Sequence, residues 1–231
     1  EALKYAEVCR ALYQKWITDP PEPLVMKLFE QHVSEVDSEA VLDLKRLIRE
    51  KEAIGATRFL GISDQNVHFL KMPFYGTGTS KKRKLSKSDI DLLYNLIKTI
   101  KPHQIFAAGD LTDPHGTHKT CLDALLLAFK KLKGEEFMKK CWVWLYSGAW
   151  DEWKIHDIDM VVPMSPDQVV KKRNAIFYHQ SQLNRVMFRG DDSREFWVRA
   201  EERNRNTAKK YHQLGMAEYE ALEAFKRMRL E

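Results

Sequence analysis

The stretch Ala107–Cys121, AAGDLTDPHGTHKTC, joins a short strand pattern to a helix pattern. The apolar run Ile105–Ala108 leads into it, and apolar residues recur at helical spacing from Cys121 onward. Open α/β sheets hold their ligands in loops of this kind, at the carboxyl ends of the strands. The stretch therefore predicts an α/β domain with a functional loop at its centre.

Four side chains that can ligate a metal fall within residues 110–118 of this loop: Asp110, Asp113, His115 and His118. Gly116 allows the backbone to turn tightly between the two histidines. His-x-x-His is a weak signal alone, and Thr117 or Asp113 could instead cap the following helix. From these residues by themselves, a metal or catalytic site and a polar capping loop remain equally open.

Length and composition indicate one domain, or one domain with an appendage, because 231 residues with 44% hydrophobic content can bury one core. The longest apolar run, Ala124–Phe129, is too short to span a bilayer, so we expect no membrane partner. The cysteines Cys9, Cys121 and Cys141 are widely spaced, which favours a reducing, cytoplasmic compartment.

The formal net charge of +5 raises the question of nucleic-acid binding. Basic residues alternate with acids, however, as in Arg199–Arg205 (RAEERNR), a pattern typical of a solvated helix face. The purely basic run is Lys81–Lys84 (KKRK), in a loop pattern. We therefore expect no nucleic-acid partner, and attraction of a phosphate-bearing sugar is the better use of the charge.

Strand and helix patterns alternate along the chain, which predicts a three-layer α/β/α sandwich with a mainly parallel, Rossmann-like sheet. The predicted strands are 67–70, 105–108, 142–146 and 158–162. Helices are predicted over 1–17, 22–36, 41–60 (ended by Gly61), 89–100 (capped by Ser86 or Ser88), from Cys121 onward, and over 165–182. The tail, 194–230, reads as two helices broken at Leu214–Gly215.

The segment DLTDPHGTH resembles the second motif of the LmbE/PIG-L family of zinc-dependent N-deacetylases. Three further segments resemble that family in the same order: Arg49–Gly61, Val67–Leu70 and Lys172–Gln182. The resemblance covers roughly residues 40–185. Within the family, its sequence is most similar to the branch found at the C-terminus of bacterial glucosamine-6-phosphate deaminase/isomerase-like proteins.

The resemblance implies a zinc site in which His118 is a metal ligand and His115 stabilises the oxyanion or shuttles its proton. Asp113 is placed among the catalytic residues, and Asp110 behind the ligands, where its carboxylate would orient an imidazole. Zinc would polarise an acetamide carbonyl and lower the pKa of bound water. Helix capping remains the alternative for both aspartates.

Two residues outside the loop are candidates for substrate contact. The guanidinium of Arg49 is suited to a phosphate or hydroxyl of the substrate, although a surface salt bridge with Glu52 or Asp43 is as reasonable. Trp150 could stack on a sugar ring at the rim of the site, as could Trp153, although packing is the commoner use of tryptophan.

The family's first motif, His-Pro-Asp-Asp, occurs nowhere in the sequence. We therefore expect residues 1–190 to form an incomplete LmbE-like domain that lacks its first strands, with 191–231 as a helical extension. The first hypothesis is a fragment, inactive alone, of an amino-sugar N-deacetylase linked to a deaminase-like domain. The second is a non-catalytic interaction or homo-oligomerisation module.

Overall fold

The computed structural model describes residues 39–75, 83–109, 116–148, 152–183 and 194–229. These residues form two compact units. The first includes 39–71 and 174–183, and the second includes 72–74, 84–109, 116–148, 152–173 and 194–229. The helices predicted over 1–17 and 22–36 lie outside the described residues. No described helix has the length and apolar character needed to cross a membrane.

The described helices and strands follow the predicted alternation. The helices are α1 Glu39–Phe59, α2 Lys87–Ile100, α3 Thr117–Leu132, α4 Pro166–Phe177, α5 Gln180–Leu183 and α6 Phe196–Gln213. The strands are β1 Gln104–Ala108, β2 Trp142–Tyr146, β3 Met160–Met164 and β4 Ala221–Met228. Short 3-10 turns lie at Asp64–Asn66, Glu136–Lys140 and Ile155–Asp157.

In the first unit, α1 ends at Phe59, and Gly61 follows with a φ of 90°, a left-handed conformation that favours glycine. The predicted helix and its stop at Gly61 are confirmed. The strand predicted at Val67–Leu70 is wrong: these residues follow a 3-10 turn and form no strand. A four-residue β pattern forms a strand only beside a partner strand, and no described strand pairs with this segment.

In the second unit, α2 begins with a capping box. The hydroxyl of Ser86 accepts from the amide of Asp89, and the Asp89 carboxylate accepts from the amide of Ser86 at 2.8 Å. The same buried carboxylate accepts from the amide of Phe74 at 2.8 Å. The predicted cap is confirmed, with Ser86 rather than Ser88 in that position.

The four described strands form one sheet in the order β1-β2-β4-β3. β1 and β2 are parallel, and β4 is antiparallel to both of its neighbours, so β1, β2 and β3 run in one direction. The α/β class with a mainly parallel sheet is confirmed. The strand predicted over 158–162 was expected to end before Pro163. Pro163 instead lies within β3, opposite Leu222. An edge strand tolerates proline because its outer N–H groups need no partner.

The core of the second unit lies where α2 and α3 cover one sheet face. Its buried residues are Ile97, Phe129, Leu132, Met138 and Val143. Ile105 of β1 and Met228 of β4 pack against this cluster. The apolar stripe of α3 therefore anchors the helix that begins directly after the 110–115 loop.

The tail prediction is half right. The helix α6 forms, but the second predicted helix is strand β4, inserted between β2 and β3. Residues such as Ala221, Leu222 and Glu223 have high helix propensity. Burial of Ala221, Leu222 and Ala224 and two ladders of hydrogen bonds outweigh that preference. The helix predicted over 165–182 is also interrupted, between Phe177 and Gln180.

Helix α6 is held to α4 by an ion pair between half-buried Arg173 and buried Glu201. The Arg173 guanidinium donates to both carboxylate oxygens of Glu201, with Nη2 to Oε2 at 2.8 Å. These hydrogen bonds hold the pKa of Glu201 below its ordinary value of 4.5, against the opposing effect of burial. A lowered carboxyl pKa stabilises the fold above the unfolded-state value, and this stability is lost as the pH falls through the folded-state pKa.

We expect Glu201→Gln to lose less stability than the wild-type protein as the pH falls below 4.5, because glutamine has no proton to take up. Urea denaturation at a series of pH values between neutral and acidic measures this slope. The control is Glu136→Gln, which removes an exposed pair with Lys139 and should leave the slope unchanged. Equal slopes in Glu201→Gln and the wild-type protein would contradict the assignment.

Candidate functional site

The candidate site lies where β1 and β2 end side by side. Ala108 pairs with Tyr146 at the carboxyl ends of these parallel strands. The next residue, Gly109, donates its N–H to the carbonyl of Tyr146 at 2.9 Å. The predicted ligands follow directly in the sequence, from Asp110 onward. The structure therefore places the entry to this loop at the sheet edge where α/β proteins hold ligands.

Of the four predicted metal donors, His118 is within the described residues. It lies exposed on the first turn of α3, so its imidazole is accessible from solvent. Asp110, Asp113 and His115 lie outside the described residues, as does Trp150. Within the described part of the chain, no group of three or more histidine, cysteine, aspartate or glutamate side chains is arranged to hold a metal.

The structure tests whether Thr117 caps the helix α3, one of the two capping residues suggested by the sequence. The N-cap of α3 is Gly116, in a left-handed conformation with a φ of 61°, and no side chain caps the helix from that position. Thr117 is the first helical residue and not the cap. The side chain of Thr120 instead donates to the Gly116 carbonyl at 2.8 Å. Capping by Thr117 therefore does not explain why this segment is polar.

Two residues at the end of β2 were not singled out by their sequence pattern. Ser147 is buried directly after the strand. Burial raises the pKa of the Tyr146 hydroxyl, and the charges of Cys121 and Glu223 act in the same direction.

Trp153 packs against the start of the loop and does not present a free ring to solvent. A Cβ atom built on Gly109 would lie 2.9 Å from Cζ2 of Trp153 and 2.7 Å from Cβ of Leu145. From within the same unit, the ammonium of Lys226 lies 5.8 Å from the centre of the indole ring. Of the two uses that the sequence left open for Trp153, the structure supports packing.

A cluster of half-buried charges beside this edge was missed by the sequence analysis. Its members are Glu152, Lys172, Arg203 and Glu223. The segment Arg199–Arg205 was interpreted as a solvated helix face, which is wrong: Arg199, Glu201 and Asn204 are buried. The alternating charges suggested a solvated face, but Glu201 and Arg203 form ion pairs with α4 and β4.

Arg49 lies in the first unit and is described there. With the Gln182 amide oriented so that its oxygen faces Arg49, that oxygen accepts from Nε at 3.1 Å and from Nη2 at 3.2 Å. Asp43, one suggested partner, pairs with Arg46 at 3.3 Å. The contact joins two of the segments that carry the family resemblance, and it gives Arg49 a structural role beside its proposed role in substrate binding.

Glu52 holds the same two segments together. Its buried carboxylate accepts from the amide of Ser181 at 2.8 Å and from the hydroxyl of Ser181 at 2.5 Å. We expect Glu52→Ala to lower the free energy of unfolding by about 1–3 kcal/mol, because the amide and the hydroxyl of Ser181 both lose their charged acceptor. Chemical denaturation measures the loss. Asp64→Asn, which weakens an exposed pair with Arg58, should cost far less, and equal costs would contradict this account.

No family model matches this chain. Over 200 residues, the chain is 49% identical to a protein of Bacteroides thetaiotaomicron described as glucosamine-6-phosphate deaminase-like. The match covers 86% of this chain but 30% of that protein's length. The chain thus spans less than a third of this relative.

Among solved structures, the chain resembles the 4-carboxy-2-hydroxymuconate hydratase of Pseudomonas putida, with a TM-score of 0.57 at 17% identity. That match covers 89% of this chain and 79% of the hydratase. The N,N'-diacetylchitobiose deacetylase of Pyrococcus horikoshii gives a TM-score of 0.49 at 18% identity, over 85% of this chain and 68% of the deacetylase. The likeness to the hydratase shows a shared α/β fold, and fold alone does not determine chemistry.

Proposed function

We propose that this chain carries part of the active site of a metal-dependent amino-sugar N-deacetylase of the LmbE/PIG-L type. The observation that carries the proposal is the position of His118, exposed at the start of the helix that follows the carboxyl end of β1. The name of the 49% identical relative supports an amino sugar, or its phosphate, as the substrate class. It also supports a deaminase-like domain in the longer protein.

The donor set is chemically suited to zinc. Imidazole and carboxylate are both zinc ligands, and residues 110–118 contain two of each. In the proposal, His118 holds the metal and Asp110 accepts from an imidazole to fix its orientation. Iron, cobalt and manganese accept the same donors, so the metal's identity is part of the proposal.

The chemistry proposed for the remaining residues follows from their charge. Bound zinc would polarise the acetamide carbonyl and activate water. A carboxylate would accept a proton from the attacking water, and Asp113 would orient an imidazole of the site. The imidazolium of His115 would stabilise the negative charge that develops on the carbonyl oxygen. Arg49 would bind a phosphate or hydroxyl, and Trp150 would stack on the sugar ring.

The sequence lacks His-Pro-Asp-Asp, which the family uses to complete its site. We therefore propose that the 231 residues alone are inactive and that activity needs this motif from a longer protein. A cytoplasmic location stays a prediction, as does the boundary near residue 190, which lies outside the described residues.

Acetate release tests the proposed function. A longer protein that contains this chain and a His-Pro-Asp-Asp segment should release acetate from N-acetylglucosamine or its 6-phosphate. His118→Ala in that protein should reduce the rate by about a thousandfold or more and lower the bound metal. His156→Ala, at an exposed histidine, is the matched control. Release that survives His118→Ala with its metal retained would overturn the proposal.

A second candidate function, an interaction or homo-oligomerisation module, is favoured by one face of the sheet. Phe106, Trp142 and Tyr146 lie on this face with exposures of 50%, 43% and 39%. β1 is an edge strand of the described sheet, with one side free to pair. Sedimentation at several concentrations tests this function, and a strictly monomeric chain would count against it.

A further inference from the structure

The half-buried charge cluster connects α6, α4 and β4 through short hydrogen bonds. Arg203, whose side chain is 9% exposed, donates from Nη1 to Glu152 at 3.0 Å and from Nη2 to Glu223 at 2.5 Å. Lys172 donates to Glu223 at 2.5 Å and to Asn204 at 2.7 Å. Two cations and two carboxylates balance in charge, which is what burial of such groups requires.

Glu152 is the member of this cluster that lies nearest to the candidate site along the chain. Its Oε2 accepts from Arg203 and from the hydroxyl of Thr207, the latter at 3.2 Å. Its Oε1 accepts from the backbone N–H of Trp153 at 2.9 Å. Burial raises the pKa of Glu152, while the charge of Arg203 opposes that shift. Glu152 therefore fixes the backbone of Trp153 to helix α6.

The indole ring of Trp153 in turn packs against Gly109. The contact is so close that no side chain fits at Gly109, since a Cβ there would meet the indole at 2.9 and 3.1 Å. Among the described residues, no acceptor bonds the buried indole N–H. Hydrogen bonding of the indole thus does not explain its placement. Packing on Gly109 and Leu145, together with the anchor at Glu152, does.

We infer that Glu152 and Arg203 are positioning residues, which hold Trp153 against Gly109 and so fix the carboxyl end of β1 from which the chain leads to His118. The inference rests on the proposed function for the importance of His118, but the contact itself does not depend on a metal. The pair acts through Trp153 and touches no substrate. Its effect is to keep the strand end in one conformation.

Hydrogen exchange at the Gly109 amide, followed by NMR in this chain, tests the inference. This amide donates to the Tyr146 carbonyl, so its exchange reports opening of the strand end. Glu152→Gln should speed this exchange about tenfold relative to amides of the α2–α3 core. Trp153→Phe should do the same, because phenylalanine lacks the Cζ2 and Cη2 atoms that reach Gly109.

The matched control is Glu201→Gln, which breaks another buried pair of α6, with Arg173, and does not touch Glu152. It should leave the Gly109 exchange within about twofold of wild type. Equal acceleration in the Glu152 and Glu201 variants, or none in either, would overturn the inference. Zinc titration in the same samples gives a separate readout: if zinc does not perturb His118 even in the wild type, the proposed function fails while the exchange result still decides the positioning role.

Discussion

Arg203→Ala should lower the free energy of unfolding by about 3–5 kcal/mol, because it leaves Glu152 and Glu223, whose side chains are 12% and 18% exposed, with part of their charge compensation removed. Breaking one partner of a buried ion pair is costly because the remaining charge has lost its solvent as well as its counterion. Urea denaturation at neutral pH, with more than one spectroscopic probe, measures the loss.

A second substitution makes this prediction specific to charge. Glu152→Gln added to Arg203→Ala should recover part of the lost stability, because it removes one of the uncompensated carboxylates. If the two losses simply add, Arg203 contributes by packing its alkyl chain and not through its charge. In that case the account of the cluster is wrong.

Leu132→Ala should lower the free energy of unfolding by about 2–5 kcal/mol. Leu132 is fully buried in the cluster that joins α2, α3 and the sheet, and its removal leaves a cavity there. Leu127→Ala on the same helix is the matched control, because Leu127 is 37% exposed and should cost less than about 1.5 kcal/mol.

The two leucine variants also address the site. Since α3 begins directly after the loop, loss of its anchor should accelerate hydrogen exchange along the helix in Leu132→Ala more than in Leu127→Ala. Equal stability losses in the two variants would contradict the placement of α3 on the sheet.

Much of the fold could be predicted because local pattern and tertiary structure agree. β2 is dense in aromatic and β-branched residues, and it forms at the predicted residues, Trp142–Tyr146. The side chain of Ser86 caps α2, and Gly61, which has no side chain, adopts the left-handed conformation that follows α1. Such signals act within a few residues, so they can be read without knowledge of the rest of the chain.

The wrong predictions concern segments whose secondary structure or burial is determined by contacts with residues distant in sequence. β4 has the composition of a helix, and it becomes a strand because it fits between two strands that lie far away in sequence. Val67–Leu70 shows the reverse case, a strand pattern that pairs with no strand among the described residues. In the same way, the charges of α6 look solvated until their partners on α4 and β4 are known.

The strand and the helix on either side of residues 110–115 were predictable, but the contacts around the strand end were not. The loop position follows from a strand pattern, a glycine and a helix pattern, and the structure puts Gly109 and His118 on either side of it. Glu152, Trp153 and Arg203 could not be connected with Gly109 from sequence, because residues distant along the chain form those contacts.

Zinc titration into the histidine-labelled chain, followed through the imidazole resonances by NMR, tests the central claim most directly. The account predicts that His118 responds first and saturably, with a dissociation constant weaker than about 1 μM because the donor set is incomplete. Exposed His156 serves as the internal reference. If the resonances of His118 move no earlier than those of His156, His118 is not a metal ligand and the deacetylase proposal fails.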